Sequence, residues 1–524
     1  MNITKIACAA GLILAAGVVG CNNDSITNLN QDPNNPPSAP PGPVFTSAAR
    51  NSAARFVGNG FDLRQTEFVA QHWAEAQYPD EDRYARLDPS STQGTWENSY
   101  ANELKDLKGV IASGVAAKQP GTYGPAMILT AWDFEYLTDT WGNIPFSKAL
   151  AGDSVGGSLT PPFDAQKDVY AGLFTMVKKA ATDLDASTST NTLGGADPVY
   201  GGDPAAWAKF ANSLHARLAI RLVNVDPATA NAELTAAFSD PGGVFASNAD
   251  AAKLVWPGDG IYNNPMTDNF SSRDDHRVSQ TLANILFATN DPRIPIYMQP
   301  VIDSTLSGSR GYFGMPNGLS TAAAGVYITK ASRPGTYLWP GSTSVGTVGS
   351  AANKKLPSYY MTYSELAFIQ AEAAERSLGG LNPSQAAGFY TAAITAAMTQ
   401  RGVAPGDIAT FLAQPSIAYK GGVAGLTQIA VQKWVSMVDD GAQAWGEWRR
   451  TCQPSTIVAG PAAVVNFVPR RFYYPTDDYS LNAANVAAAN TAQGPDNFGT
   501  RPYWDTKPTA APTYVSAQAC AGTP

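Results

Sequence analysis

The chain has 524 residues, a net charge of -8 and a pI near 5.0, with 15% charged residues and 10% aromatics, among them 11 Trp and 22 Tyr. Aromatic-rich, charge-poor composition offers flat apolar faces beside hydroxyls and amides, which suit neutral polar ligands better than phosphates. The acidic balance, without any basic stripe interleaved with aromatics, excludes nucleic acid, whose capture relies on Lys and Arg neutralising phosphates.

Residues 1–20 read as an export signal. Lys5 gives a minimal positive start, and Ile6 to Gly20 is almost wholly apolar but too short to span a bilayer. The run ends in Val18-Val19-Gly20-Cys21, which resembles the lipobox of bacterial lipoproteins. Cys21 would then become the lipidated first residue of the mature chain; the alternative is an ordinary secretory signal with a chance cysteine. Residues 21–43 are rich in Asn, Pro and Ser and predict a flexible tether, with a single folded domain over 44–524. No later stretch is long and apolar enough to cross a bilayer, so the chain is expected to be anchored to the membrane and not to span it.

Helices are predicted over Val44–Gly58, Leu63–Gln77, Gly94–Ala112, Tyr123–Trp141 and Gln166–Leu184. Asp203-Pro204 forms a start signal for a helix whose Trp207, Phe210, Leu214 and Leu218 make one buried stripe. The region of about 242–357 is rich in Gly, Pro, Asn and Ser and predicts an irregular insert of loops and short strands. Beyond it, Thr362-x-x-Glu365 has the form of a capping box and opens a helix stopped by Gly379-Gly380. Asn382-Pro383 starts a second helix running to about Gln400, and the two make a helix pair. Trp434, Val438, Gly441, Trp445 and Trp448 continue a helical period, with Gly441 as the candidate point of a break into two helices. Of four cysteines, Cys8 leaves with the signal and Cys21 would carry lipid, so Cys452 and Cys520 remain as a disulfide candidate or as two free thiols. With only His72, His215 and His276 and no CxxC, no zinc site and no cofactor are expected.

Several segments, in order along the chain, resemble those of one family: residues 133–146, residues 207–222, Asp291-Pro292-Arg293, Pro316-Asn317-Gly318-Leu319, residues 361–373, residues 444–451 and residues 469–475. Together with the lipobox they resemble the SusD/RagB-like outer-membrane lipoproteins, in the SusD-like branch. The resemblance implies a mainly α fold of tetratricopeptide-like helix pairs, with a loop-rich insert and short strands. It also implies a non-catalytic protein that binds an oligosaccharide or peptide and delivers it to a SusC-like, TonB-dependent transporter. Two departures stand out. Many surface-displayed relatives carry an acidic run after the lipidated cysteine, whereas this chain has only Asp24 and Asp32 there, and Cys452 replaces the family's glycine after Arg449-Arg450-Thr451.

Trp141, Trp207, Trp445 and Trp448 are read as core aromatics, and Arg449, Arg450 and Arg471 as partners of helix-end carbonyls or of Glu447. A sugar site needs an exposed aromatic plate flanked by amides or carboxylates. Trp73, Tyr78, Asp80, Tyr84, Trp96 and Asn98 form one candidate group, and Tyr262, Asn263, Tyr312, Tyr337 and Trp339 another; core or surface packing is the competing reading for each. Glycoside hydrolysis is the rival activity, suggested by Trp132-Asp133-Phe134-Glu135. Retaining catalysis needs two carboxyls about 5 Å apart across the scissile bond, whereas residues 133 and 135 of one helix point in different directions. Another alternative is a lid or scaffold subunit of the transporter that binds little ligand itself.

Overall fold

The computed structural model describes residues 39–154, 156–186, 192–270, 273–338 and 353–506. The signal, most of the tether, Cys21, Trp339 and Cys520 lie outside these. Helix α1 (Pro41–Phe56) takes in the last three residues of the expected tether, with prolines in its first turn, where a missing N–H costs nothing. A π-helical turn (Asn59–Thr66) leads into α2 (Glu67–Ala70). The single helix predicted over Leu63–Gln77 does not form: Gln71 turns left-handed at φ 61°, and Trp73–Glu75 becomes strand β1 instead. The missing signal was tertiary, because β1 pairs with residues 276–278, two hundred positions later.

Helix α3 (Pro89–Asn98) runs through a π-helical turn (Ser99–Leu104) into α4 (Lys105–Ala116), followed by α5 (Pro120–Trp141), α6 (Gln166–Asp185), α7 (Pro204–Arg221) and α8 (Pro227–Ser239). From α4 to α8 each helix packs on the next. Asp203 caps α7 by accepting from the N–H groups of Ala205 (2.9 Å) and Ala206 (3.3 Å). The predicted stripe of Trp207, Phe210, Leu214 and Leu218 is fully buried behind it. Helix α5 is buried nearly all round, as the central helix of a layered body must be.

The insert carries β2 (Ala252–Leu254), α9 (Pro265–Asn269), β3 (His276–Val278), α10 (Gln280–Ala288), α11 (Ile294–Tyr297) and α12 (Thr321–Gly325), and ends at β4 (Ser358–Met361). Strand β3 pairs antiparallel with β1, and β2 with β4, so the insert is fastened to the helical body at both places. Then come α13 (Tyr363–Glu375), α14 (Pro383–Gln400), α15 (Pro405–Leu412), α16 (Gly422–Ser436), α17 (Gly441–Thr451), α18 (Thr476–Leu481) and α19 (Ala483–Gln493). The pair α13–α14 forms as the sequence predicts, but its caps are exchanged. Thr362 accepts from the Glu365 N–H (3.1 Å), while the Glu365 carboxylate leaves the cap to bind Arg217. Asn382 and Gln385 make the reciprocal box instead, one helix later. The break expected at Gly441 is real, since α16 and α17 are separate helices.

Trp73, Trp132, Trp141, Trp207, Trp434, Trp445, Trp448 and Trp504 are all fully buried. Among them runs a buried charge network. Arg217 spans Glu135 (3.2 Å) and Glu365 (2.7 Å), while Arg221 reaches Asp139 (3.2 Å), Glu447 (3.2 Å) and Gln443. Arg450 forks onto Glu372 (2.6 Å for both bonds) and also holds Glu447, to which Lys433 adds a further contact. Arg449 donates to the carbonyls of Asp139 and Arg470, and Arg471 pairs with Asp496. These arginines therefore tie α5, α7, α13, α16 and α17 together, which is the architectural role their motifs implied. Among the described residues no helix is long and apolar enough to cross a membrane.

Candidate functional site

The exposed turn after β1 holds the aromatic plate that, among the described residues, stands furthest into solvent. Tyr78 precedes Pro79, a position that ordinarily favours extended backbone, yet it is left-handed at φ 56° with its ring 69% exposed. A bulky residue held left-handed with an exposed ring is the kind of strained conformation that structures retain for function. The turn is fixed by N–H bonds from Arg83 to the Pro79 carbonyl (3.0 Å) and from Ala85 to that of Asp80 (2.9 Å). The insert closes on it from the other side. Gln77 donates to the Asp274 carbonyl (3.2 Å), and the Arg273 guanidinium lies 5.6 Å from the Tyr78 ring centre, a cation–π contact. Arg273 is held in turn by Asp275 (2.8 Å), and Arg83 bonds Asp80 (3.2 Å) and the Ala462 carbonyl (2.9 Å). The result is a ring with the Arg273 guanidinium over it, in a turn that also carries the exposed Asp80 carboxylate and its Arg83 partner, which matches the chemistry of a hydroxyl-rimmed ligand.

The footing of this turn is acidic and buried. Glu75 is fully buried with neither carboxyl oxygen hydrogen-bonded. Burial, reinforced by the nearby Glu81, Asp275 and Asp82 carboxyls, pushes it up to about 11. Burial also raises Asp82 to about 7, against the bonds it accepts from Asn317 (2.7 Å) and the Gly318 N–H (3.0 Å). Asn317 and Gly318 belong to one of the family-like segments, so that segment serves to anchor the turn. Among the described residues no group of His, Cys, Asp or Glu side chains has the arrangement of a metal site.

The other candidates take different places. Trp73 and Tyr84 are 1% exposed and pack in the core, offering no face to a ligand. Trp96 is 4% exposed, packed against Trp141, Phe163 and Tyr474, and lies at the wall of a cleft beside α3. Asn98 is exposed but bonds its own helix at the Gly94 carbonyl (2.6 Å). Tyr262 is 42% exposed, with Arg50 of α1 4.5 Å over its ring, while Asn263 is buried and shapes that loop through Gly260 and Asp268. Tyr312 and Tyr337 are half-buried, and Tyr337 lies edge-on to Tyr297 beneath Arg401. Tyr78, Tyr262 and Tyr337 thus each have a different arginine over the ring. Arg273 escaped the sequence reading, because nothing local marks a cation destined for a tyrosine 195 positions away. The acids of the hydrolase reading are interior: Asp133 accepts from the Ser52 hydroxyl (2.9 Å), Glu135 binds Arg217, and both are fully buried.

A family model described as starch-binding and associating with the outer membrane matches residues 33–475. The chain belongs to the SusD-like family. Among solved structures, this SusD-like chain is similar to a chitin-binding protein at 26% identity and TM-score 0.74, over 89% of this chain and 100% of that one. It is also similar to a chitin-binding SusD homologue from Flavobacterium johnsoniae, at 25% identity and TM-score 0.71, over 88% and 97% of the two chains. A SusD homologue from Bacteroides uniformis, at 23% identity and TM-score 0.73 over 88% and 99%, shares the fold. A search of the curated proteins finds no match.

Proposed function

We propose that this SusD-like protein is a non-catalytic, lipid-anchored capture protein of the outer membrane, which holds a glycan on the Tyr78 face and passes it to a SusC-like, TonB-dependent transporter. The observation that carries the reading is its end-to-end likeness to two chitin-binding proteins, which puts an N-acetylated glucosamine oligomer first among candidate ligands. The exposed Tyr78, with Arg273 and Asp80 beside it, supports it chemically: the ring covers the C–H face of a sugar while the charged groups meet its hydroxyls. Lipid on Cys21 supplies the anchor, since acyl chains contribute about 0.8 kcal/mol per buried methylene. The protein is read as surface-exposed, although only Asp24 and Asp32 stand where many displayed relatives carry an acidic run. Cys452 is disulfide-bonded, and we pair it with Cys520; non-reducing peptide mapping checks that bridge.

The lid reading has one observation in its favour, that Trp73, Tyr84 and Trp96 all turn inward and leave few plates for a ligand. Isothermal titration against chitin oligomers, maltooligosaccharides and peptides separates the two. Capture predicts saturable heat with one glycan class, no product in the same samples and a barrel transporter that copurifies from membranes. A copurifying barrel without any heat leaves only the lid. Product formation, or an unlipidated Cys21, contradicts the proposal itself.

A further inference from the structure

A cleft of about 560 Å³, within the range of ligand pockets, is walled by Trp96 of α3, by Tyr100 of the π-helical turn after it, by Pro145, Leu150 and Leu159, and by α18, and neither Tyr78 nor Arg273 lines it. Its most open walls are aliphatic: Leu159 is 86% and Leu481 73% exposed, which solvent alone does not favour. Its charged lining is all of one sign. Glu97, Asp477 and Asp478 face the cleft, and among the described residues no Lys or Arg lines it. Among the described residues none of the three forms a salt bridge, and Asp478 keeps a buried carboxyl oxygen with no hydrogen-bond partner. Burial, with the charges of Glu97 and Asp477, raises Asp478 to about 6, and burial with Asp477 raises Glu97.

We infer that this cleft docks a short basic peptide segment, a Lys or Arg stem lying between Leu159 and Leu481 with its cation against Glu97, Asp477 and Asp478. Charge complementarity argues for the cation, and the aliphatic walls argue for an alkyl stem over a hydroxyl-rimmed sugar ring. The occupant comes from outside the chain. In all the segments outside the described residues the only cationic side chains are Lys5, in the signal, and Lys507, directly after the last described residue. This surface is separate from the Tyr78 face, so it stands whether or not that face binds glycan.

The test is isothermal titration of the full chain with acetyl-Leu-Lys-Leu-amide, its norleucine counterpart and a glucosamine disaccharide. Saturable binding of the lysine peptide is expected, with the uncharged norleucine peptide at least about tenfold weaker, a difference of about 1.4 kcal/mol. Raised salt weakens the lysine peptide only. Asp477→Asn combined with Asp478→Asn removes the preference. Should that pair unfold, Asp477→Asn alone, on an exposed side chain, reports the same loss. Equal binding of the two peptides, no saturation by either, or stronger binding of the amino sugar overturns the inference.

Discussion

Glu447 shows what a single buried side chain does in this protein. Burial would raise its carboxyl, but Arg450, Lys433 and Arg221 surround it and hold it well below the usual carboxylate range. Removing one partner of such a cluster leaves uncompensated buried charge, so Glu447→Gln is expected to cost roughly 3–5 kcal/mol in a denaturant titration. Glu75 behaves in the opposite way. Its carboxyl binds a proton more tightly folded than unfolded, so its contribution to stability is full below about pH 4.5 and is lost as pH rises toward 11. Glu75→Gln, which keeps the shape and removes the titration, should therefore raise the melting temperature at pH 8 by roughly 2–4 °C, with the gain vanishing near pH 4.5. A gain independent of pH would mean that Glu75 is not the titrating group.

At the scale of elements, the corner between α16 and α17 depends on close approach. A Cβ added to Gly441 would clash with the Glu67 backbone nitrogen, and the Gly441 N–H donates to buried Asp62 (2.7 Å). Gly441→Ala is predicted to destabilise the fold by about 1–3 kcal/mol, read from the shift in denaturation midpoint. The same corner shows which parts of the fold were legible in sequence. Helices α7, α13 and α14 could be read because caps, period and stop signals agree locally. Strand β1 could not, because its pairing with β3 is decided by a distant segment, and nor could the diversion of Glu365 from its cap to Arg217. In the candidate site, Tyr78 and Asp80, both named from sequence, stand in the exposed turn after β1. Trp73 and Tyr84 lie within a few residues of them but face the core, and their direction is set by tertiary packing that aromatic content does not encode.

For the molecule as a whole, a rigid interior and a loop-borne exterior divide the work. The arginine–carboxylate network joins helices from both ends of the chain, and the two small sheets fasten the insert onto them, so the Tyr78 turn and Arg273 meet on a fixed base. Binding a stiff sugar chain benefits from such a base, because little ordering entropy remains to be lost on association. The most direct measurement is a paired titration of the wild-type chain and Tyr78→Ala with a chitin hexasaccharide. The account predicts saturable binding by the wild type and affinity weaker by about tenfold or more in the variant, at unchanged melting temperature. Equal affinity in the two proteins would contradict it.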